Sequence, residues 1–152
     1  MMLRAPLLLL ALTLAVPAHA TRTLHCSIVD KSLTLVMEGT ISDNAGEGLV
    51  SVRGDLTPLI PALSSGFGPF VLERALVTQF WFNGKELNLR LYRETKGEPQ
   101  ETLDLLFETR QEKRDRTAYS GLYQGKVSSF GAATGSAAKE TAFKGRVDCQ
   151  IR

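Results

Sequence analysis

Apolar and polar residues alternate with a period of two along most of this chain, the pattern of strands that bury one face. The alternation is clearest near the end, where Phe143, Gly145, Val147, Cys149 and Ile151 fall on one face. Lys144, Arg146, Asp148, Gln150 and Arg152 fall on the other. Near the start, Leu24, Cys26 and Ile28 share a face, with His25 and Ser27 opposite. Between these segments Leu33, Leu35, Met37 and Ile41 mark a second strand, and Val50, Val52, Gly54 and Leu56 a third. Strands over 75–82 and 85–93 flank Asn83-Gly84, a dipeptide suited to a type I′ hairpin turn. That turn sets Phe82 across from Lys85, Phe80 from Leu87, Thr78 from Leu89 and Leu76 from Leu91. The register turns Leu76, Phe80, Leu87, Leu89 and Leu91 inward, and Val77, Trp81 and Tyr92 outward. Leu103, Leu105 and Phe107 mark a sixth strand, and Tyr119, Tyr123 and Val127 a seventh.

About eight strands, short connections and no helical period predict an all-β fold. The expected architecture is a single-domain antiparallel up-and-down β-barrel, with a closed β-sandwich as the alternative. One turn of helix is expected near residues 58–64. An outer-membrane barrel is disfavoured, because it needs an apolar face toward lipid, whereas the polar faces here carry full charges.

Both cysteines point to the apolar side of a strand, so a Cys26–Cys149 disulfide is expected, holding the first and last strands side by side. Closing a loop of about 120 residues is worth on the order of 4–5 kcal/mol in the chain-entropy model.

The first twenty residues read as a signal peptide. Arg4 gives a cationic start, an apolar run spans Leu7 to Val16, and Ala18-His19-Ala20 supplies the small residues for cleavage. The run is about 10 residues, half of the roughly 20 needed to cross a bilayer. The expected folded domain is 21–152, with no transmembrane segment after cleavage. A disulfide suits export, to the periplasm by preference or to the extracellular space.

Composition narrows the function. A net charge of +2, from 18 basic and 16 acidic residues, lacks the basic excess of a nucleic-acid binder. No nucleophile elbow, His-Glu-x-x-His helix or phosphate-binding loop occurs, so no enzyme, metal or cofactor is expected. The carboxylates Asp104 and Glu108, at i and i+4 of one strand, would stand about 13 Å apart, too far for a glycosidase pair. His25 reads as a surface residue. Asp43, Asn44 and Glu47 read as an ordinary turn rather than a calcium loop, and Arg53-Gly54-Asp55 as strand. The stretch 110–116 holds four basic residues with Glu112 and Asp115, and reads as a solvated hairpin tip, with contact to an acidic partner as the alternative.

The remaining candidates are binding features. Residues 56–70 read as a long apolar segment with three prolines around Phe67, expected either as a cap packed over one barrel end that buries Leu59, Ile60, Leu63, Phe67 and Phe70, or as a lid, plug or binding loop. Trp81, the single tryptophan, is expected outside with Val77 and Tyr92 as an interaction patch. Tyr119-x-Gly121-x-Tyr123-x-Gly125 puts tyrosines and glycines on one inward face, for packing or for offering hydroxyls to a ligand. These features suggest a non-catalytic exported domain that binds a protein or envelope component at Phe67, Trp81, Val77 and Tyr92. A carrier of a small apolar ligand inside the barrel is one alternative. A loop-presenting protein akin to a protease inhibitor is the other.

Overall fold

The computed structural model describes residues 21–43, 48–61, 63, 67–97, 99–131 and 139–152. The expected signal peptide, Asn44, Glu47 and part of each long loop lie outside them. The described chain is all-β, with nine antiparallel strands in a nearly closed barrel-shaped sheet. These are β1 (Thr21–Val29), β2 (Leu33–Ser42), β3 (Gly48–Pro58), β4 (Phe70–Glu73), β5 (Val77–Phe82), β6 (Glu86–Glu94), β7 (Gln100–Gln111), β8 (Ala118–Phe130) and β9 (Lys139–Ile151). Their order in the sheet is β4-β3-β2-β1-β9-β8-β7-β6-β5. Among the described residues no helix is long and apolar enough to cross a membrane.

Every hydrogen-bonded neighbour is also a neighbour in sequence, except one pair. β1 meets β9 across the ends of the domain, pairing Leu24–Ser27 with Ile151–Asp148. Thr23 and Arg152 exchange both backbone hydrogen bonds, which makes Cys26↔Cys149 a non-hydrogen-bonded pair, the closely spaced kind. The two residues form the expected disulfide, with Cα atoms 4.0 Å apart.

At the other end of the strand order, β4 and β5 share one segment of chain. β4 pairs with β3, a 3₁₀ turn at Arg74–Leu76 interrupts, and β5 continues in the same direction while pairing with β6. One interrupted strand thus passes from one flank of the seam to the other. β5 answers to the fourth of the eight expected strands, 75–82, and β4 is an additional strand that the alternation does not mark. Arg74 spans the seam, its Nε donating to the carbonyl of Leu49 on β3 (2.8 Å) and its Nη1 to that of Val77 on β5 (2.9 Å). Part of the expected helical turn near 58–64 lies outside the described residues; within them the Leu63 N–H donates to the Ile60 carbonyl.

The interior is filled by alternate side chains of every strand. Leu24, Leu33, Leu35, Ile41, Leu56, Leu105, Tyr123 and Val147 have no exposed surface at all. Two bulges correct the expected facing of residues. A register shift between Thr40 and Ile41 pairs Leu49 rather than Val50 with Ile41, leaving Val50 exposed. A second shift between Val77 and Gln79 inserts Thr78 as an unpaired residue. It reverses the alternation, so Val77 is buried instead of facing solvent.

The hairpin register is also longer than expected by two residues, with Phe82 paired to Leu87 and Phe80 to Leu89. Asn83 Oδ1 accepts the N–H groups of Lys85 and Glu86, building a wider turn in which Gly84 takes a positive φ of 82°. A shift of two preserves parity, so Leu87, Leu89 and Leu91 still face inward, Phe82 joins them, and Leu76 and Phe80 are half-buried against the core.

Two experiments probe the two seams. Replacing both cysteines (Cys26→Ala with Cys149→Ala) removes a bond of sequence separation 123. The expected loss in urea unfolding approaches about 5 kcal/mol. Arg74→Ala leaves the Leu49 and Val77 carbonyls without their donor. It is expected to cost about 1–3 kcal/mol, with the largest rise in amide exchange along β5 and the facing part of β3.

Candidate functional site

The inward tyrosines occupy their hydroxyls within the fold. Tyr119 donates to the carbonyl of Gly84 (2.9 Å), tying β8 to the β5–β6 turn. Tyr123, fully buried, donates to Asp30 Oδ2 (2.6 Å) in the β1–β2 turn, and Asp30 Oδ1 accepts the N–H groups of Ser32 and Leu33. Glycines make the space for Tyr123 and its neighbour Phe143. A Cβ on Gly145 would lie 2.2 Å from Asp30 Oδ2, and one on Gly125 would lie 2.2 Å from the Phe143 ring. Burial opposes ionisation of Asp30, yet the Tyr123 hydroxyl, the two backbone donors and nearby Lys31 outweigh it and lower its pKa. Burial, and then the Asp30 carboxylate, push the Tyr123 phenol well above its usual range.

The loop after β3 closes the same end of the barrel. Phe67 is 2% exposed and meets Phe70 edge to face at 5.9 Å. Arg93 lies over both rings, with its guanidinium carbon 3.8 Å from the centroid of Phe70 and 5.2 Å from that of Phe67. Arg93 Nη1 is buried and has no hydrogen-bond partner among the described residues, and burial pulls the guanidinium below its ordinary pKa. The aromatic faces supply the attraction that a hydrogen bond would otherwise give. Phe67 is thus a plug rather than an exposed contact, because a large ring gains more by filling the barrel mouth than by facing water. Among the described residues, the inward-facing pocket between Leu56, Phe70, Leu72 and Leu103 holds about 10 Å³, the scale of a single water.

The outer face is different. Trp81, Asn88, Glu108, Leu122 and Arg146 stand on one register row across β5 to β9. Trp81 is 48% and Leu122 56% exposed, and at about 4.8 Å per strand they stand some 14 Å apart. Between them Asn88, Glu108, Gly121 and Leu122 line a groove of about 380 Å³. Glu86 and Arg110, an ion pair at 3.4 Å, form its lower rim. The same two residues line a second groove of about 440 Å³ with Lys113 and Arg116, so the face runs on into the basic hairpin tip.

Of the four residues expected to form a binding patch, two reach the surface. Tyr92 is exposed, but it stands four residues along β6 from Asn88, the cross-strand partner of Trp81, and donates to Glu94 Oε2. Val77 and Phe67 are interior. Leu122, opposite Glu108, is an outward apolar residue whose only mark in the sequence is its alternation with the inward Gly121 and Tyr123.

The other candidates fall into place as structure. Asp104 is held by Arg90 through two hydrogen bonds (2.8 and 2.5 Å), and Glu108 accepts from Gln124. Asp43 pairs with Arg22, and Arg53 with Glu38 inside the β2–β3 ladder. His25 is exposed on β1. Among the described residues no group of three His, Cys, Asp or Glu side chains converges as metal ligands would. These features define a small up-and-down β-barrel with its sculpted surface outside. Comparison with known protein families, with curated proteins and with solved structures finds no match.

The Asp30–Tyr123 bond has a pH signature. A carboxylate with a lowered folded pKa adds stability above its ordinary value of 3.8, and loses that contribution as pH falls through the folded value. Asp30→Asn is expected to cost about 1–2 kcal/mol near neutral pH. Urea unfolding of the two proteins should converge in strongly acidic buffer. A gap that stays constant across pH would sink this assignment.

Proposed function

We propose that this chain is an exported, non-catalytic β-barrel domain that docks a protein or other envelope component on the lower outer face of β5–β8. The observation that carries this reading is the exposure of Trp81 and Leu122 on one register row beside a groove. Large apolar side chains on an otherwise charged face gain free energy when a partner covers them, and tryptophan is the residue type most often central to such contacts. Arg110, Lys113 and Arg116 at the groove's lower end favour a partner with an acidic segment beside an apolar anchor.

The alternatives draw less support. A carrier of an apolar ligand needs a pocket of roughly 300 Å³ or more. The described interior pocket holds about 10 Å³. A loop-presenting protein would display the residues after β3, yet Phe67 is turned inward. Export to an oxidising compartment accords with the Cys26–Cys149 bond.

The test compares the wild-type chain with Trp81→Ala and Leu122→Ser, immobilised and exposed to envelope extract. Both variants should keep the wild-type unfolding midpoint, since neither side chain is in the core. The captured partner should be lost by at least about tenfold with Trp81→Ala. Because Trp81 is the sole tryptophan, its fluorescence should shift to shorter wavelength as the purified partner binds. Equal capture by all three proteins would overturn the proposed face.

A further inference from the structure

The upper part of β9 outruns its neighbour on one side. The β1 ladder on β9 ends at Ser27↔Asp148, while β8 accompanies β9 as far as Lys139. Residues 139–145 therefore have β8 on one flank and, among the described residues, no strand on the other. Parity fixes which peptide groups face the open flank. Thr23 and Arg152 exchange hydrogen bonds, so the even-numbered residues of β9 aim N–H and C=O toward the β1 side. The Ile151 N–H, which bonds the Thr117 carbonyl, faces the β8 side as an odd-numbered residue should. Glu140, Ala142 and Lys144 thus present their peptide groups at the open edge, and all three side chains are exposed.

We propose that this edge pairs with the same edge of a second copy of the chain, as two antiparallel β9 strands about a two-fold axis at Ala142. An unpaired edge is a ready template for another strand, and a two-fold axis lets one segment serve both sides. The charges select the register. Centred on Ala142, Glu140 stands directly opposite Lys144 of the second copy, and Lys144 opposite its Glu140. Opposite charges placed so across a ladder stabilise it. Centring on Glu140 or on Lys144 sets like charges face to face. A centre at Thr141 loses the match. A centre at Phe143 sets Glu140 of the second copy opposite Arg146, outside the open stretch, whereas the Ala142 centre pairs all of residues 139–145. In the Ala142 register Lys144 of the second copy joins a carboxylate already held by Lys126 at 3.1 Å. A ladder this short makes a small interface, so the dimer is weak and governed by concentration.

Sedimentation velocity of the full, oxidised chain tests this over about a hundredfold dilution, across which such a dimer must dissociate. Ala142→Pro removes an N–H that faces the open flank and not the β8 ladder, a place where an edge strand tolerates proline. It should abolish association and leave the unfolding midpoint near that of the wild type. Lys144→Glu should weaken association by about tenfold, and adding Glu140→Lys should restore it. A chain that stays monomeric throughout overturns the proposal, and so does a dimer that survives Ala142→Pro. If the proline variant does not fold, the charge reversal and its rescue decide alone.

Discussion

A meander of hairpins can be assembled from local contacts, but a barrel needs one contact that is not local. Here that contact is β1 against β9, which joins residues more than a hundred positions apart through a ladder from Leu24 to Ser27. Bringing such distant segments together carries the largest loop-closure entropy in the fold. The β7–β8 and β8–β9 ladders are far longer and join strands adjacent in sequence. The disulfide lies in the middle of the short non-local ladder, at a closely spaced pair. It bears on the step where backbone pairing has least to offer and chain entropy most to oppose. Closure also gives the alternation its meaning, because inward side chains become a shared core only once the sheet meets itself.

The second seam is closed by different means. Between β4 and β5 no ladder runs, and the chain steps across by changing partners at a 3₁₀ turn. Arg74 hydrogen bonds bridge the step on the outside, and Phe67 with Phe70 under Arg93 fills the barrel end above it. One seam is thus covalent and narrow, while the other is polar and plugged. Inside, the tyrosines of β8 act as ties. Each spans from its own strand to a distant turn, Tyr123 to Asp30 and Tyr119 to Gly84. Gly145, across the ladder on β9, gives the Tyr123 ring room.

The part of this architecture that was legible in the sequence is the part governed by period two. The alternation on both cysteine-bearing segments predicts which face they share and that the two segments meet. It is blind to single insertions. Thr78 looks like an ordinary strand residue, yet as a bulge it turns Val77 from the outside to the core, and valine suits either face. The Asn83-Gly84 signal locates a turn but not its length, because the Asn83 side chain can serve a wider loop as readily as a tight one. The apolar loop around Phe67 is visible as apolar. Its role as plug depends on a barrel mouth that exists only after the strands assemble. Leu122 escaped notice for the converse reason: one apolar residue on a polar face is common, and its significance comes from Trp81 three strands away.

The proposed docking face and the open β9 edge occupy the same half of the barrel without competing. Trp81, Leu122 and the groove lie toward the end that carries the β5–β6 and β7–β8 turns. Residues 139–145 lie toward the other end, beyond Arg146 on the shared register row. A second copy added along that edge would extend the sheet upward and leave the lower outer face of β5–β8 uncovered. The β9 edge, and all of the docking face except Trp81 on β5, are borne by β6 to β9, whose ladders are among the longest in the fold, so little conformational entropy is lost there on engagement. A two-fold pair would present two such faces in fixed relative orientation. A partner with repeated sites would then bind with an effective concentration set by the sheet geometry rather than by a flexible linker.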